Sequence, residues 1–215
     1  MTDPAIKLSP DGKNVQYKDI TISIARWHSA VPYLIDEATQ LLRGRLRPAD
    51  VLRYLDSVTH FLDLLLVLFL FTSEHPPYGR DLLQVRFTAA GPDHRRNIGI
   101  YEGVVTVSTA TELPPREIIT RQLPNKVGGL VVRYFLDVRP FLLKHQELAH
   151  SYGLDNHPLF TSQYLFPPGQ GLWNEERYDA AIRTWTRALL GVTLSLEAYR
   201  DIYLGIAAIE RDRQT

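Results

Sequence analysis

The sequence predicts a mainly α-helical fold with one small β-hairpin near its middle. Apolar residues recur at spacings of three and four over several long segments, which is the period of a helix with one buried face. The exception is residues 98–108, where β-branched residues stand on both sides of Glu102 and Gly103, a pattern typical of a hairpin. Because a lone hairpin is marginal in water, we expect it to pack against the helices of a single compact domain.

Composition and charge limit what the chain can do. The 215 residues carry no net charge and are 45% hydrophobic, values ordinary for one soluble globular domain. No cysteine is present, so disulfides, cysteine-based zinc sites and thiol catalysis are excluded. Arginine greatly outnumbers lysine, and arginine suits bidentate contact with phosphate or carboxylate, although a codon bias explains the excess equally well.

The first third of the chain is predicted to hold a tail and two helices. Residues 1–18 are polar and contain prolines and a glycine, so we expect a flexible N-terminal tail followed by one domain over residues 19–215. A helix is expected over residues 20–42, either kinked at Pro32 or beginning there. A second helix, over residues 48–72, is apolar nearly all round in its later turns, which is typical of a central core helix.

Neither a membrane segment nor a secretion signal is expected. The longest apolar run, residues 61–71, is eleven residues long and contains Asp63, whereas a helix needs ~20 residues to span a bilayer. The first residues lack the apolar core of a signal peptide. We therefore expect an intracellular protein without a membrane role.

After the hairpin the pattern becomes helical again. Residues 112–124 are expected to form a loop with short helical character, and residues 127–139 a strong helix. Pro140 is expected to kink this helix or to start the next one. Gly128 and Gly129 fall inside the helical pattern, where close packing of the helix against a neighbour is the expected reason for them.

Two amphipathic helices joined by a short turn end the chain. Asn174 is expected to cap the first helix, Gly191 to stop it and Ser195 to cap the second. Arg183 and Arg187 are four residues apart, so they share one exposed face of the first helix. A DNA-reading helix-turn-helix has a similar pattern, but so does any pair of packed helices, and the latter is the more common explanation.

The usual catalytic motifs are missing from the sequence. It has no Walker A loop, no glycine-rich dinucleotide motif, no paired carboxylates and no serine in a nucleophile elbow. His145, Glu147 and His150 are close in sequence, but the two histidines are five residues apart, whereas a zinc-protease helix needs a spacing of four. We therefore expect neither a metal site nor a cofactor.

Four phrases occur in a specific order along the chain: GRDLLQVRF, RRNIGIYEGVVTVST, LPNKVGGLVVRYFLDVRPFL and LSLEAYRDIYLGIA. In this order they resemble the catalytic domain of tyrosine recombinases. The similarity is greatest to the degenerate form found in fungal mobile elements and in fungal telomere-linked RecQ-type helicase proteins. The resemblance covers about residues 27–211, most of the chain, and implies a compact helical domain of the tyrosine recombinase fold.

The resemblance also implies that recombinase chemistry is lost. Such recombinases use arginines to stabilise a pentacoordinate phosphate and a tyrosine that becomes covalently joined to DNA. The position of the first arginine is Tyr78 here, and Arg80 is near but out of register. In the second motif Arg200 matches the arginine, whereas Glu197 replaces the histidine and Asp201 follows. The hairpin also lacks the expected lysine, so we expect a protein that is not an enzyme.

The function expected from this resemblance is non-catalytic binding of duplex DNA in the nucleus. The residues expected to contact phosphates are Arg43, Arg45, Arg47, Arg95, Arg96, Arg183 and Arg187. The alternative is a protein-interaction or scaffold module without a nucleic-acid role, which the zero net charge favours. An unrelated small-molecule enzyme on a helical fold is a third hypothesis, and it requires a deep pocket with convergent polar groups.

Overall fold

The computed structural model describes residues 6–44, 51–73, 79–89, 96–110, 118–154, 156–168 and 173–212. This part of the chain is 61% helical and 16% strand, and its strands form two three-stranded antiparallel sheets. The expected mainly α fold with one hairpin is therefore wrong, and the fold is mixed α and β. The strands that were not expected lie at the start of the chain and after the hairpin.

The chain separates into two compact units. The smaller unit combines Met1–Tyr33 with Asp179–Thr215, and the larger unit is Leu34–Tyr178. The first and the last part of the sequence therefore belong to one unit, and the middle of the sequence forms the other.

A three-stranded sheet opens the smaller unit. It consists of β1 (Ile6–Leu8), β2 (Asn14–Tyr17) and β3 (Ile20–Ser23), paired in that order. Val15 and Tyr17 on β2 are buried, whereas the residue between them is exposed, so the strand buries alternate residues. The prediction of a flexible tail is therefore wrong over residues 6–17. These short strands lie in a polar stretch of sequence and are stabilised by pairing with each other and with β3. Residues 1–5 lie outside the described residues.

Helices from both ends of the chain complete the smaller unit. They are the first part of α1 (Ile24–Gly44), the later part of α8 (Glu175–Leu190) and α9 (Leu196–Asp212). As expected, Gly191, with a φ of +77°, ends α8. The Ser195 hydroxyl caps α9, also as expected, by accepting a hydrogen bond from the Ala198 N–H at 3.2 Å. Trp27 of α1 stacks on Tyr199 of α9 with ring centres 5.1 Å apart.

The larger unit is built on α2 (Val51–Thr72), whose later turns are buried on every side. Residues 64–70 are each at most 1% exposed, which confirms the prediction of a central core helix. By length and composition alone α2 could also cross a membrane. However, 67% of its most apolar 18-residue stretch is buried inside the protein, as in the core helix of a soluble protein. Its length and apolar composition are therefore only weak evidence for a membrane segment.

One acidic residue, Asp63, lies in the apolar half of α2. It accepts hydrogen bonds from the Trp173 indole N–H at 2.9 Å and from two Arg177 nitrogens at 3.0 and 2.7 Å. The Arg177 guanidinium also lies over the Trp173 ring, 4.9 Å from its centre. Asn174 caps α8 as expected, because its side chain accepts from the Arg177 N–H at 2.8 Å. The Asp63 carboxylate thus fixes the start of α8 to α2.

The second sheet contains the predicted hairpin and one further strand. Its strands are β4 (Ile98–Tyr101), β5 (Val104–Ala110) and β6 (Ile118–Gln122), paired in that order. Glu102 and Gly103 form the turn with φ of 49° and 80°, and positive φ at both positions is what a two-residue type I′ turn requires. A loop was expected over residues 112–124, but residues 118–122 form β6. That strand is specified by pairing with β5, which the local sequence does not reveal.

A continuous helical run follows β6. It consists of α4 (Asn125–Arg133), a π-helix (Tyr134–Val138) and α5 (Arg139–Lys144). The shorter helices of the unit are α3 (Gly79–Leu83), α6 (Gln146–His150) and α7 (Pro158–Thr161). The Arg139 N–H donates to the Tyr134 carbonyl, five residues earlier, and Pro140 has no N–H with which to resume the α-helical ladder. Pro140 therefore marks the boundary between the π-helix and α5.

The adjacent glycines of α4 should respond differently to alanine. A Cβ on Gly128 would lie 3.1 Å from Cγ2 of Val105 on β5, whereas a Cβ on Gly129 would meet nothing within 4 Å. Because alanine is the better helix former, we expect Gly129→Ala to raise the free energy of unfolding by about 0.5–1 kcal/mol. Gly128→Ala should give no such gain, since Val105 must move. Urea denaturation measures both variants, and equal gains would contradict the packing of α4 on β5.

The Asp63–Arg177 pair should show strong coupling. Removing one partner of a fully buried pair costs ~3–5 kcal/mol. The two side chains here are 19% and 28% exposed, so we expect Arg177→Leu to cost about 2–3 kcal/mol in free energy of unfolding. The double variant Asp63→Leu/Arg177→Leu should lose less than the sum of the two single variants, because no unpaired charge stays inside. Additive losses in a double-mutant cycle would contradict the pairing.

A candidate binding cleft beside the second sheet

A cleft of about 390 Å³ lies between the β4–β5 hairpin and the helical run that follows β6. The sheet contributes Ile98, Gly99, Ile100 and Val105. The helices contribute Val131, Val132, Phe135 and Leu136. Two further lining residues are Phe87 and Arg96. The described lining is thus apolar except for one arginine, and its size is at the lower end of the range for small binding pockets.

Large apolar side chains are exposed on both sides of this cleft. On the sheet side Ile100 is 65% exposed, and on the helical side Leu136 is 70% exposed. The neighbouring Tyr101, at the tip of β4, is 67% exposed. Single exposed apolar residues are common on soluble proteins, but a group of them around a cavity is typical of a contact surface.

The middle of β4 presents its backbone to the cleft. Successive residues of a strand point to opposite faces, yet Ile98, Gly99 and Ile100 all line the cavity. Gly99 has no side chain, and a Cβ built there would meet nothing within 4 Å. Gly99 therefore contributes only backbone atoms, and the main chain of β4 forms part of the lining between the side chains of Ile98 and Ile100.

Backbone hydrogen bonds connect Phe87 and the preceding Arg86 to two other parts of the chain. The Phe87 N–H donates to the Gln163 carbonyl at 3.1 Å, and the Arg86 carbonyl accepts from the Ile98 N–H at 3.3 Å. The Arg139 guanidinium lies over the Phe87 ring, 4.0 Å from its centre. One wall of the cleft is therefore attached to the start of β4.

The π-helix forms the opposite wall. Its Phe135 and Leu136 line the cleft, while its Tyr134 is completely buried and stacks near Phe61 of α2, with ring centres 6.1 Å apart. Burial raises the pKa of the Tyr134 hydroxyl, and the nearby Arg139 guanidinium opposes that rise. The wider π turn redistributes side chains between the core and the surface, which is one reason why such turns recur at functional sites.

The arginines expected to contact phosphates are divided between the two units. Arg43 and Arg96 are exposed in the larger unit, and Arg183 and Arg187 are exposed on α8 in the smaller unit. Arg183 pairs with Asp179, one helical turn earlier. Among these four, Arg96 lines the cleft. The others in the set, which lie outside the described residues, are Arg45, Arg47 and Arg95.

The positions that the resemblance assigns to recombinase motifs include Tyr78, which lies outside the described residues, and four that lie on helices. They are Arg80 on α3 and Glu197, Arg200 and Asp201 on α9. Asp201 accepts a hydrogen bond from the Tyr17 hydroxyl at 2.7 Å, and this bond raises the pKa of Tyr17. Asp201 therefore has a structural contact, which connects α9 to β2.

Within the described ranges, no group of three or more His, Cys, Asp or Glu side chains is placed to hold a metal ion. Of the histidines considered from the sequence, His145 has its Nδ1 2.9 Å from the Phe141 carbonyl oxygen. His150 is exposed on α6.

Sequence reasoning missed the cleft, because its walls come from segments that are far apart in the chain. Two local signals were nevertheless present. Leu136 is a large apolar residue outside the apolar stripe of its predicted helix, and such a residue faces solvent. Gly99 stands between two isoleucines of a predicted strand, where glycine often marks a close approach to the backbone.

Comparisons with protein-family models, with curated proteins and with solved structures find no match. The resemblance to tyrosine recombinases therefore stays a prediction, and so does the DNA-binding role that it implies. The function must be argued from the cleft and from the exposed charges.

Proposed function

We propose that this chain is a non-enzymatic protein-recognition module that binds an apolar stretch of a partner in the cleft. The observation that carries the proposal is the lining itself, in which apolar side chains surround a cavity and Arg96 supplies the one charge among the described residues. A mostly apolar cavity with few, well-placed polar groups is the usual form of a binding site.

The same lining offers no chemistry for an acid–base or nucleophilic reaction. Such reactions need a group that exchanges a proton near the working pH, or an activated nucleophile. An arginine side chain serves neither purpose, because a guanidinium group neither releases its proton at physiological pH nor acts as a nucleophile. The other described lining residues have neither an ionisable nor a nucleophilic side chain. Binding is therefore the better-supported role for this cleft.

The size of the cleft indicates a modest affinity. Burying one large apolar side chain is worth about 1.5–3 kcal/mol. A cavity of about 390 Å³ holds only a few such groups, and association itself costs free energy. We therefore expect dissociation constants in the micromolar range, about −8 kcal/mol or weaker.

Selection from a phage-displayed library of random short peptides tests this proposal. Peptides enriched on the wild-type chain should bind it with micromolar affinity and should lose at least ~10-fold on Leu136→Asp, because a carboxylate would then stand at the cleft entrance. Leu143→Asp is the matched control, since Leu143 is an exposed leucine of the same unit, on α5, and does not line the cleft. Equal binding to both aspartate variants would contradict the proposal.

Duplex DNA is the second candidate ligand. The observation that favours it is the exposure of Arg43, Arg96 and Arg187, three of the residues that the sequence analysis predicts to contact phosphates. The net charge of the chain is zero, so binding would depend on these local groups rather than on a general attraction.

Fluorescence anisotropy with a labelled duplex tests the second candidate. If DNA is the ligand, affinity should fall steeply between ~50 and ~200 mM salt, because phosphate contacts release counterions. Arg187→Glu should weaken binding and flatten the salt dependence. Lys144→Glu makes the same charge change at an exposed position outside the predicted set. Equal losses for both variants, or no binding at low salt, would rule out a specific role for these arginines.

A further inference from the structure

We infer that the cleft takes its partner as an extended peptide that adds a strand to the outer edge of β4. The peptide pairs with the backbone of Ile100, places an apolar side chain in the cleft and carries an acidic residue beside Arg96. This inference rests on the proposed function, because it specifies how a partner would occupy the same cleft.

The hydrogen bonds of the sheet show which backbone groups of β4 point outward. Ile100 stands opposite Val105, and the Val105 carbonyl accepts from the Leu123 N–H at 2.9 Å, on the β6 side of β5. In an antiparallel ladder, pairs of residues that bond to each other alternate with pairs whose backbone groups face away. Ile100 and Val105 are a pair of the second kind. The N–H and C=O of Ile100 therefore point to the outer edge.

At Ile98, the preceding residue whose backbone groups point outward, the chain itself forms a hydrogen bond along this edge. Ile98 has the same orientation as Ile100, and its N–H donates to the Arg86 carbonyl at 3.3 Å. Among the described residues, no hydrogen bond reaches the backbone of Ile100. An added strand would continue the line that Arg86 begins. Outward N–H and C=O groups on an edge strand are the usual template for such addition.

The shape of the cleft favours a strand over a helix as the occupant. A partner helix uses anchors that span two turns, roughly 10 Å along its axis. An extended peptide directs alternate side chains to one face, about 7 Å apart. The small cleft has room for one or two such side chains, and three successive residues of β4 line it. The main-chain groups of the peptide would meet the strand edge at the same time.

Arg96 determines the charge of the preferred peptide. It lies two residues before Ile98, it is exposed, and it is the one ionisable side chain in the described lining. An acidic residue of the peptide would pair with it across the cleft entrance. Exposed ion pairs add little affinity, so its main effect would be to fix the direction and register of the peptide.

A backbone N-methyl scan tests strand addition directly. Peptides selected on the intact chain are synthesised with one N-methyl group at each position in turn, which removes one N–H without changing the side chain. At the position where the peptide N–H meets the Ile100 carbonyl, we expect affinity to fall by roughly 3- to 10-fold, the range of one net hydrogen bond. The adjacent positions, whose N–H groups point away from β4, should change little.

Variants of the chain test the same contacts from the other side. Ile100→Pro removes the outward N–H but keeps the pairing with β5, since proline is tolerated where an edge-strand N–H faces outward. It should weaken binding by roughly 3- to 10-fold, whereas Ile100→Val should bind almost as well as wild type. Arg96→Glu should weaken the acidic peptides and should enrich basic ones when the selection is repeated.

The outcomes separate this inference from the proposed function. Peptides that depend on Leu136 but tolerate N-methylation at every position would overturn strand addition and leave the proposed function intact. Enriched sequences with apolar residues at helical spacing would do the same. Acidic peptides that are indifferent to Arg96→Glu would overturn the charge assignment. A selection that enriches no peptide would overturn both proposals.

Discussion

The larger unit depends on how one carboxylate inside an apolar helix is satisfied. Asp63 lies among leucines that are almost entirely inaccessible, and an unpaired charge there would be costly. Arg177 meets it with two nitrogens, and the Trp173 indole donates to the same carboxylate. These hydrogen bonds hold residues 173–177 against α2. A purely apolar contact would tolerate small shifts of these residues along α2, whereas the paired hydrogen bonds do not.

The cleft follows from packing on that same helix. α4 lies against α2 on one side and against β5 on the other, where Gly128 lets the helix backbone approach Val105 closely. α4 continues into the π-helix, which ends just before Pro140 at the start of α5. The π-helix keeps Tyr134 in the core while Leu136 stands in solvent beside β4. The same five-residue π-helix therefore contributes to the core of the larger unit and to one wall of the cleft.

The parts of the fold that depend on local chemistry could be predicted from the sequence. The turn at residues 102–103 requires positive φ, and the caps at Asn174 and Ser195 each involve a backbone N–H only three residues away. β1, β2, β3 and β6 were missed, with β3 lying where the start of a helix was expected, because a short strand is specified by a partner elsewhere in the chain. The cleft was missed for the same reason. The arginines expected to contact phosphates remain a prediction.

The two edges of the second sheet differ in a way that bears on which of them is an interface. β6 carries Arg121, whose side chain donates to Thr109, and a charged side chain on an edge strand discourages pairing with other chains. β4 reads Ile-Gly-Ile-Tyr and has no charge along its length. An edge of this kind invites aggregation if it is long. β4 is only four residues long, and the Arg86 carbonyl accepts from its Ile98 N–H, while no hydrogen bond from the described residues reaches the outward groups of Ile100. One such position is too short to template a growing stack of strands, whereas the proposed peptide would need it only for orientation and would take its affinity from the apolar cleft.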